Sequence, residues 1–167
     1  PSTSQRPTIG LSRPEFMTPT DLLGKSRGQL AELLAPVIDR PFRVDQVYRA
    51  MHHRKVRDFE SMTELSKALR EELSASFAIG RPRIAEVQGS ADGTEKVIFE
   101  LEDGATIEAV DIPDADRNTL CISSQAGCAL ACKFCVTGYW GGGRDLSSSE
   151  IVGQVFALEE RRGAGLS

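Results

Sequence analysis

All four cysteines of this 167-residue chain fall between Cys121 and Cys135. Cys128, Cys132 and Cys135 read C-x3-C-x2-C, and Cys121 stands seven residues upstream of the first. Thiols gathered this closely, with no export signal in view, point to metal or redox chemistry in the cytosol rather than to a disulfide framework. Zinc and iron–sulfur chemistry compete for such a set. A structural zinc site is a closed tetrahedron, usually built from two short cysteine knuckles or a cysteine pair and a histidine pair. Here there is one triplet, and the adjacent His52 and His53 match no zinc-ligand spacing. A cubane of four irons normally takes four thiolates. Three from one tight loop leave one iron open to a small molecule bearing amine and carboxylate groups, much as catalytic zinc keeps an open position.

The elements that must carry this loop can be read from periodicity. Residues 1–16, "PSTSQRPTIGLSRPEF", are polar and proline-rich, carry no basic segment followed by an apolar run, and are expected to be a disordered tail. Residues 17–79 form a helical accessory domain. Ser26 is the expected N-cap of "RGQLAELLAPVI", and Pro36 and Pro41 bracket a break. Phe42, Val44, Val47, Tyr48 and Met51 mark a helix in "FRVDQVYRAMHHRKV", and Thr63 or Glu64 opens another that ends near Phe77. Residues 80–118 alternate instead. "RIAEVQG", "EKVIFEL" and "TIEAVDIP" predict a β-meander turning at Asp92-Gly93 and Asp103-Gly104, and "RNTLCISS" a fourth strand leading into the cysteines. After a glycine-rich "GYWGGGR", Ser147 and Glu150 form the capping box of a final helix. A strand, a ligand loop and a helix make one β/α unit, which needs neighbouring strands to bury its sheet. Residues 119–167 therefore read as the start of a barrel, in a chain expected to be truncated.

Composition excludes several classes. With 40% hydrophobic residues, 26% charged residues and a formal charge of −4, the chain can bury a core and is not an indiscriminate nucleic-acid binder. No apolar run reaches the length of a membrane span. Arg43, Arg49, Arg54, Lys55 and Arg57 form a basic run, either an RNA-contacting face or a solvated helix face. Tyr139-Trp140 either stack on a base or cover an apolar edge. Cys121 on its own reads as a buried core thiol, Glu108 as an outward strand residue, and Ser123 and Ser124 as shapers of the strand exit.

The C-x3-C-x2-C triplet, with Phe134 directly before the third cysteine, resembles the cluster loop of the radical S-adenosylmethionine (SAM) superfamily. The longer stretch "TLCISSQAGCALACKFCVTGYWGGGRDLSSSEIVGQV" resembles the RlmN/Cfr family of adenosine methyltransferases, as do "EAVDIP" and, more loosely, "RPFRVDQVY" and "FESMTELSKALREEL". The resemblance implies an α/β fold, in which a helix-hairpin-helix-like accessory domain precedes a partial (β/α)6 barrel. It implies that Cys128, Cys132 and Cys135 hold a [4Fe-4S] cluster whose open iron binds SAM, with Phe134 beside it. It assigns Cys121 acid/base chemistry on a covalent enzyme–RNA intermediate, and turns Glu108 toward the same site. The implied reaction methylates C2 of adenosine in 23S rRNA and tRNA. One SAM methylates a late cysteine, and a second supplies the radical that activates that methyl group. The implied partners are the two RNAs and an electron donor such as flavodoxin, with a monomeric cytoplasmic enzyme. Methylation at C8 is the alternative within the family. A non-catalytic RNA-binding fragment with a zinc-occupied loop is the alternative outside it. The late cysteine and the glycine-glutamate SAM segment are not among these residues, so the chain alone is expected to show no turnover. It also departs from the family's "TG-x-x-GF-x-RN-L" at Gly142 and Asp145, and Gly141-Gly142-Gly143 are expected to be unusually mobile.

Overall fold

The computed structural model describes residues 19–115, 117–128, 133 and 143–163. The expected tail, with the middle of the cysteine loop, lies outside them. Two hydrophobic cores organise the rest.

The first core belongs to helices α1 (Arg27–Leu34), α2 (Pro41–His52) and α3 (Lys67–Ser76). Their starts are set locally. Ser26 accepts from the Gln29 N–H while the Gln29 side chain returns to the Ser26 N–H, and Pro41 opens α2 where its missing N–H costs nothing. Leu30, Leu34, Val44, Val47, Met51, Leu69 and Leu73 turn inward from these helices. Phe59, Met62 and Leu65 fill the space beneath the α2–α3 connection. Two boundaries differ from expectation. α2 stops at His52, and Lys55 takes a left-handed backbone with φ 55°. The α3 cap is Ser66, not Thr63 or Glu64, because a turn from Met62 to Leu65 first drops both side chains into the core. Two short strands went unforeseen. β1 (Thr20–Asp21) pairs in parallel with β2 (Phe77–Ala78), and Asp21 accepts from the Leu23 and Gly80 N–H groups at 2.9 Å each. The helical unit is thereby closed end to end.

The second core lies between a four-stranded antiparallel sheet and the last helix. β3 (Arg83–Gly89), β4 (Glu95–Glu100), β5 (Thr106–Pro113) and β6 (Asn118–Cys121) follow in sequence order. Gly93 and Gly104 supply the left-handed corners of the first two turns, at φ 86° and 81°. α4 (Ser148–Arg162) packs Ala157 and Leu158 with Val97, Phe99, Ile107 and Ala109. Its expected capping box is present, and Gly163 ends it in the left-handed conformation. The fourth strand is shorter than "RNTLCISS" predicts. β6 ends at Cys121, and a new strand, β7 (Gln125–Ala126), pairs with β8 (Arg144–Asp145). Among the described residues β6 has no parallel neighbour; its partner is β5.

Candidate functional site

Cys121 closes β6 opposite Val110 of β5. Ile107, Ala109 and Asp111 point into the core beneath α4, so strand alternation puts Glu108, Val110 and Cys121 on the other face. Cys121 is exposed there, which replaces the reading of a buried core thiol. Glu108 is its diagonal neighbour, a relationship that spaces residues about 7–8 Å apart. It is also exposed, with Lys96 Nζ 3.4 Å from its carboxylate.

Beyond Cys121 the chain is held at several points. Ser123 donates its N–H to Gln154 Oε1 and accepts from Gln154 Nε2 at its carbonyl, both at 2.9 Å. The Ser123 hydroxyl donates to the Glu108 carbonyl at 2.7 Å, and the Ser124 carbonyl accepts from the Leu146 N–H at 2.9 Å. Gln125 then faces Asp145 and Ala126 faces Arg144, with Gln125 Nε2 donating to Asp145 Oδ1 at 2.7 Å. Residue 145, where the family pattern has asparagine, here gives a carboxylate acceptor to that amide. The β7–β8 ladder thus brings the two ends of segment 127–143 together. Gly143, expected among mobile glycines, is closely held. A Cβ there would overlap the Ala126 carbonyl oxygen and lie 2.7 Å from the Ala126 carbonyl carbon. Cys128 sits half-buried just past the ladder. Cys132, Phe134 and Cys135 lie outside the described residues, as do Tyr139, Trp140, Gly141 and Gly142. Among the described residues no three His, Cys, Asp or Glu side chains gather as metal ligands.

Arg144 ties the ladder to its surroundings. Its Nε donates to Asp103 Oδ2 at 2.7 Å, and its two terminal nitrogens reach Glu150 at 2.6 and 2.9 Å. Glu150 raises the guanidinium's pKa, as does Asp103, and Arg144 in turn holds both carboxyls below their usual range. The β4–β5 turn, the loop base and the α4 capping box therefore share one charge cluster.

The other side of α4 meets the helical unit. Lys55 pairs with Glu159 at 2.5 Å, and Arg57 Nε donates to Glu160 at 2.8 Å. Arg81, its side chain only 6% exposed, stacks 4.7 Å over the Phe156 ring and lies 3.9 Å from Glu160. Arg43 pairs with Asp39 and Arg54 with Glu64. Most of the basic run is therefore engaged with carboxylates, two of them on α4. Arg49 and His53 instead share a cleft of about 600 Å³ with Arg27, Gln46, Arg54 and Glu64.

The adjacent histidines face apart, as helical geometry requires. His52 packs against Tyr48 and Phe156. Burial lowers its pKa, and Arg81 and His53 add to the shift. A histidine depressed in the folded state contributes stability above its unfolded value of about 6.5 and loses it as pH falls through the folded value. The chain is expected to unfold more readily at pH 5.5 than at pH 7.5, and His52→Leu to flatten that part of the profile. Urea melts across this range, read by circular dichroism, would check both.

Gln154, Arg144, Arg81 and Glu160 were not singled out from sequence. Gln154 left one trace: a fully buried amide, it sits between Glu150 and Leu158 on the inward stripe of α4.

Known proteins match most of the chain. The ribosomal RNA large subunit methyltransferase N-terminal domain matches residues 20–79. The dual-specificity RNA methyltransferase RlmN of Halorhodospira halophila is 46% identical over 142 residues, covering 85% of this chain and 40% of its own length. That of Alcanivorax borkumensis is 44% identical over 149 residues, covering 87% and 39%. A crystal structure of a radical SAM methyltransferase from Sphaerobacter thermophilus superposes with a TM-score of 0.79 at 34% identity, over 89% of this chain and 45% of that one. The chain spans about two fifths of the length of the curated relatives it matches. Residues 20–79 are thus similar to the ribosomal RNA large subunit methyltransferase N-terminal domain, and over the portion that it spans the chain is similar to RlmN proteins.

Proposed function

We propose that this chain is the cluster-loop portion of a radical SAM RNA methyltransferase acting on C2 of adenosine in 23S rRNA and tRNA. The observation that supports this most is the C-x3-C-x2-C segment that follows a two-residue ladder at the end of a sheet, in a chain similar to RlmN proteins. The donor set fits an iron–sulfur cluster: three thiols close together in sequence, of which Cys128 is half-buried beside the ladder. Cys128, Cys132 and Cys135 would hold the [4Fe-4S] group, with Phe134 flanking the third. When bound, it supplies the electron that cleaves the SAM sulfonium.

The remaining work falls to the chain. Cys121 presents its thiol on the open face of the sheet, free to exchange a proton with a bound nucleotide. Glu108 on the same face is the second proton-exchanging group, oriented by Lys96. The cleft lined by Arg27, Arg49, His53, Arg54 and Glu64 offers the Arg49 guanidinium to RNA phosphates, Arg54 being paired with Glu64 and Arg27 with Asp45. A flavodoxin-type donor would deliver the electron to a monomeric cytoplasmic enzyme, and no described helix is long and apolar enough to cross a membrane. The four cysteines of this chain are all committed between residues 121 and 135, so methyl transfer by these 167 residues alone is not expected.

Anaerobic reconstitution with iron and sulfide tests the assignment. The chain should take up about four irons and absorb near ~400 nm. Cys128→Ala, Cys132→Ala or Cys135→Ala should each abolish uptake, while Cys121→Ala should retain it. Stoichiometric zinc with no iron uptake would overturn the reading.

A further inference from the structure

We propose that Gln154 is a positioning residue that acts as a one-residue surrogate strand at the root of the cysteine loop. Ser123 is the second residue past the end of β6, where ladder pairing has stopped. A neighbouring strand would accept from its N–H and donate to its carbonyl. The Gln154 side chain makes both bonds, at 2.9 Å each. Its second amide hydrogen goes to the Glu150 carbonyl at 3.2 Å, so both N–H donors are used. The opposite amide orientation would set two carbonyls against the Gln154 oxygen and two N–H groups together, so the hydrogen-bond pattern fixes the assignment.

The Gln154 side chain has no solvent exposure, and without it the half-buried Ser123 backbone would lose both partners. The grip propagates along the chain. With Ser123 fixed, its hydroxyl reaches the Glu108 carbonyl, and the adjoining Ser124 carbonyl takes the Leu146 N–H beside the β7–β8 ladder. Gln154 thereby holds Ser123 beside Glu108 and sets the direction in which the chain leaves the sheet beyond Cys121. This builds on the proposed role of the loop, but the clamp itself can be measured without metal.

Two variants of the metal-free 167-residue chain separate hydrogen bonding from packing. Gln154→Met keeps length and volume but loses all three hydrogen bonds, the two to Ser123 and the one to the Glu150 carbonyl. Gln154→Glu keeps the acceptor for the Ser123 N–H and sets a carboxylate oxygen against the Ser123 carbonyl. Once protonated, that carboxyl reproduces one donor and one acceptor, and burial raises the pH at which this happens. Hydrogen exchange is read residue by residue, as protection relative to the unmodified chain at the same pH. Gln154→Met should lower protection at Ser123 and Leu146 by about tenfold or more, with β4 and β5 amides nearly unchanged. Gln154→Glu should match that loss at pH 8 and recover protection toward pH 5, whereas Gln154→Met should not. Unmodified protection at Ser123 in both variants, uniform loosening of the sheet, or no pH-dependent recovery in Gln154→Glu would overturn the proposal. Should Gln154→Glu not fold, selective loss in Gln154→Met still decides it. A chain that shows this pattern but binds no iron refutes the cluster assignment and leaves the clamp standing.

Discussion

Gly143→Ala is expected to unfasten the base of the cysteine loop while both hydrophobic cores stay folded. The conflict is one of space, since the residue's φ is not in the left-handed region. The added Cβ would meet the Ala126 carbonyl and come within 2.8 Å of the Gly127 carbonyl carbon, and both neighbours are backbone. Backbone cannot rotate away as a flexible side chain can. Either β8 moves off β7 or the ladder bonds stretch, and overpacking of this kind costs about 1–3 kcal/mol. Loss of the Gln125–Asp145 bond would add about 1 kcal/mol. Hydrogen exchange should show lost protection in β7 and β8, and iron uptake on reconstitution should fall severalfold. Gly89→Ala is the control, because a Cβ there meets nothing within 4 Å. Unchanged exchange in Gly143→Ala would mean that the ladder does not hold the loop.

Periodicity and capping make most of the elements legible in the sequence. "RGQLAELL" announces its cap at Ser26, Asp92-Gly93 and Asp103-Gly104 announce their turns, and Ser147 with Glu150 announces α4. Each is a local rule acting over three or four residues. The features that escaped depend on partners distant in sequence. β1 and β2 are two residues each and meet across the whole helical unit, so neither carries a periodic signal. The β7–β8 ladder joins residues some twenty positions apart through Gln125 and Asp145, neither of them a strand former. The same limit governed the site. The cysteine spacing was visible because its candidate ligands are close in sequence. Gln154 was not, because its partner Ser123 is 31 residues away. The basic run shows the reverse case: Lys55 and Arg57 read from sequence as part of either an RNA face or a solvated helix face, and α4 brings Glu159 and Glu160 up against them.

That junction yields the larger effect on global stability. Glu160→Gln is expected to destabilise the chain by about 2–4 kcal/mol, because it removes a partner from a charge that stays buried. Arg81 cannot follow its charge into water. It is pinned over Phe156, beside Gly80 and Pro82, and α4 presses so near that a Cβ on Gly153 would lie 2.6 Å from Pro82 Cδ. Burial already lowers its pKa, against which Glu160 and then Asp21 act to raise it. Arg57 also loses its partner but is 61% exposed, so its share is small. The cost should therefore depend on Arg81 rather than on the salt bridges as a class. Arg81→Met alone should cost little, since an apolar side chain of similar length can take its place over Phe156 and leaves Glu160 with Arg57. In the Arg81→Met background, Glu160→Gln should then cost under about 1 kcal/mol. Urea unfolding of the two single variants and the double variant would give the coupling directly. Additive losses would show that Glu160 acts through Arg57 and solvent, and that the buried guanidinium does not set the strength with which α4 holds the helical unit to the sheet.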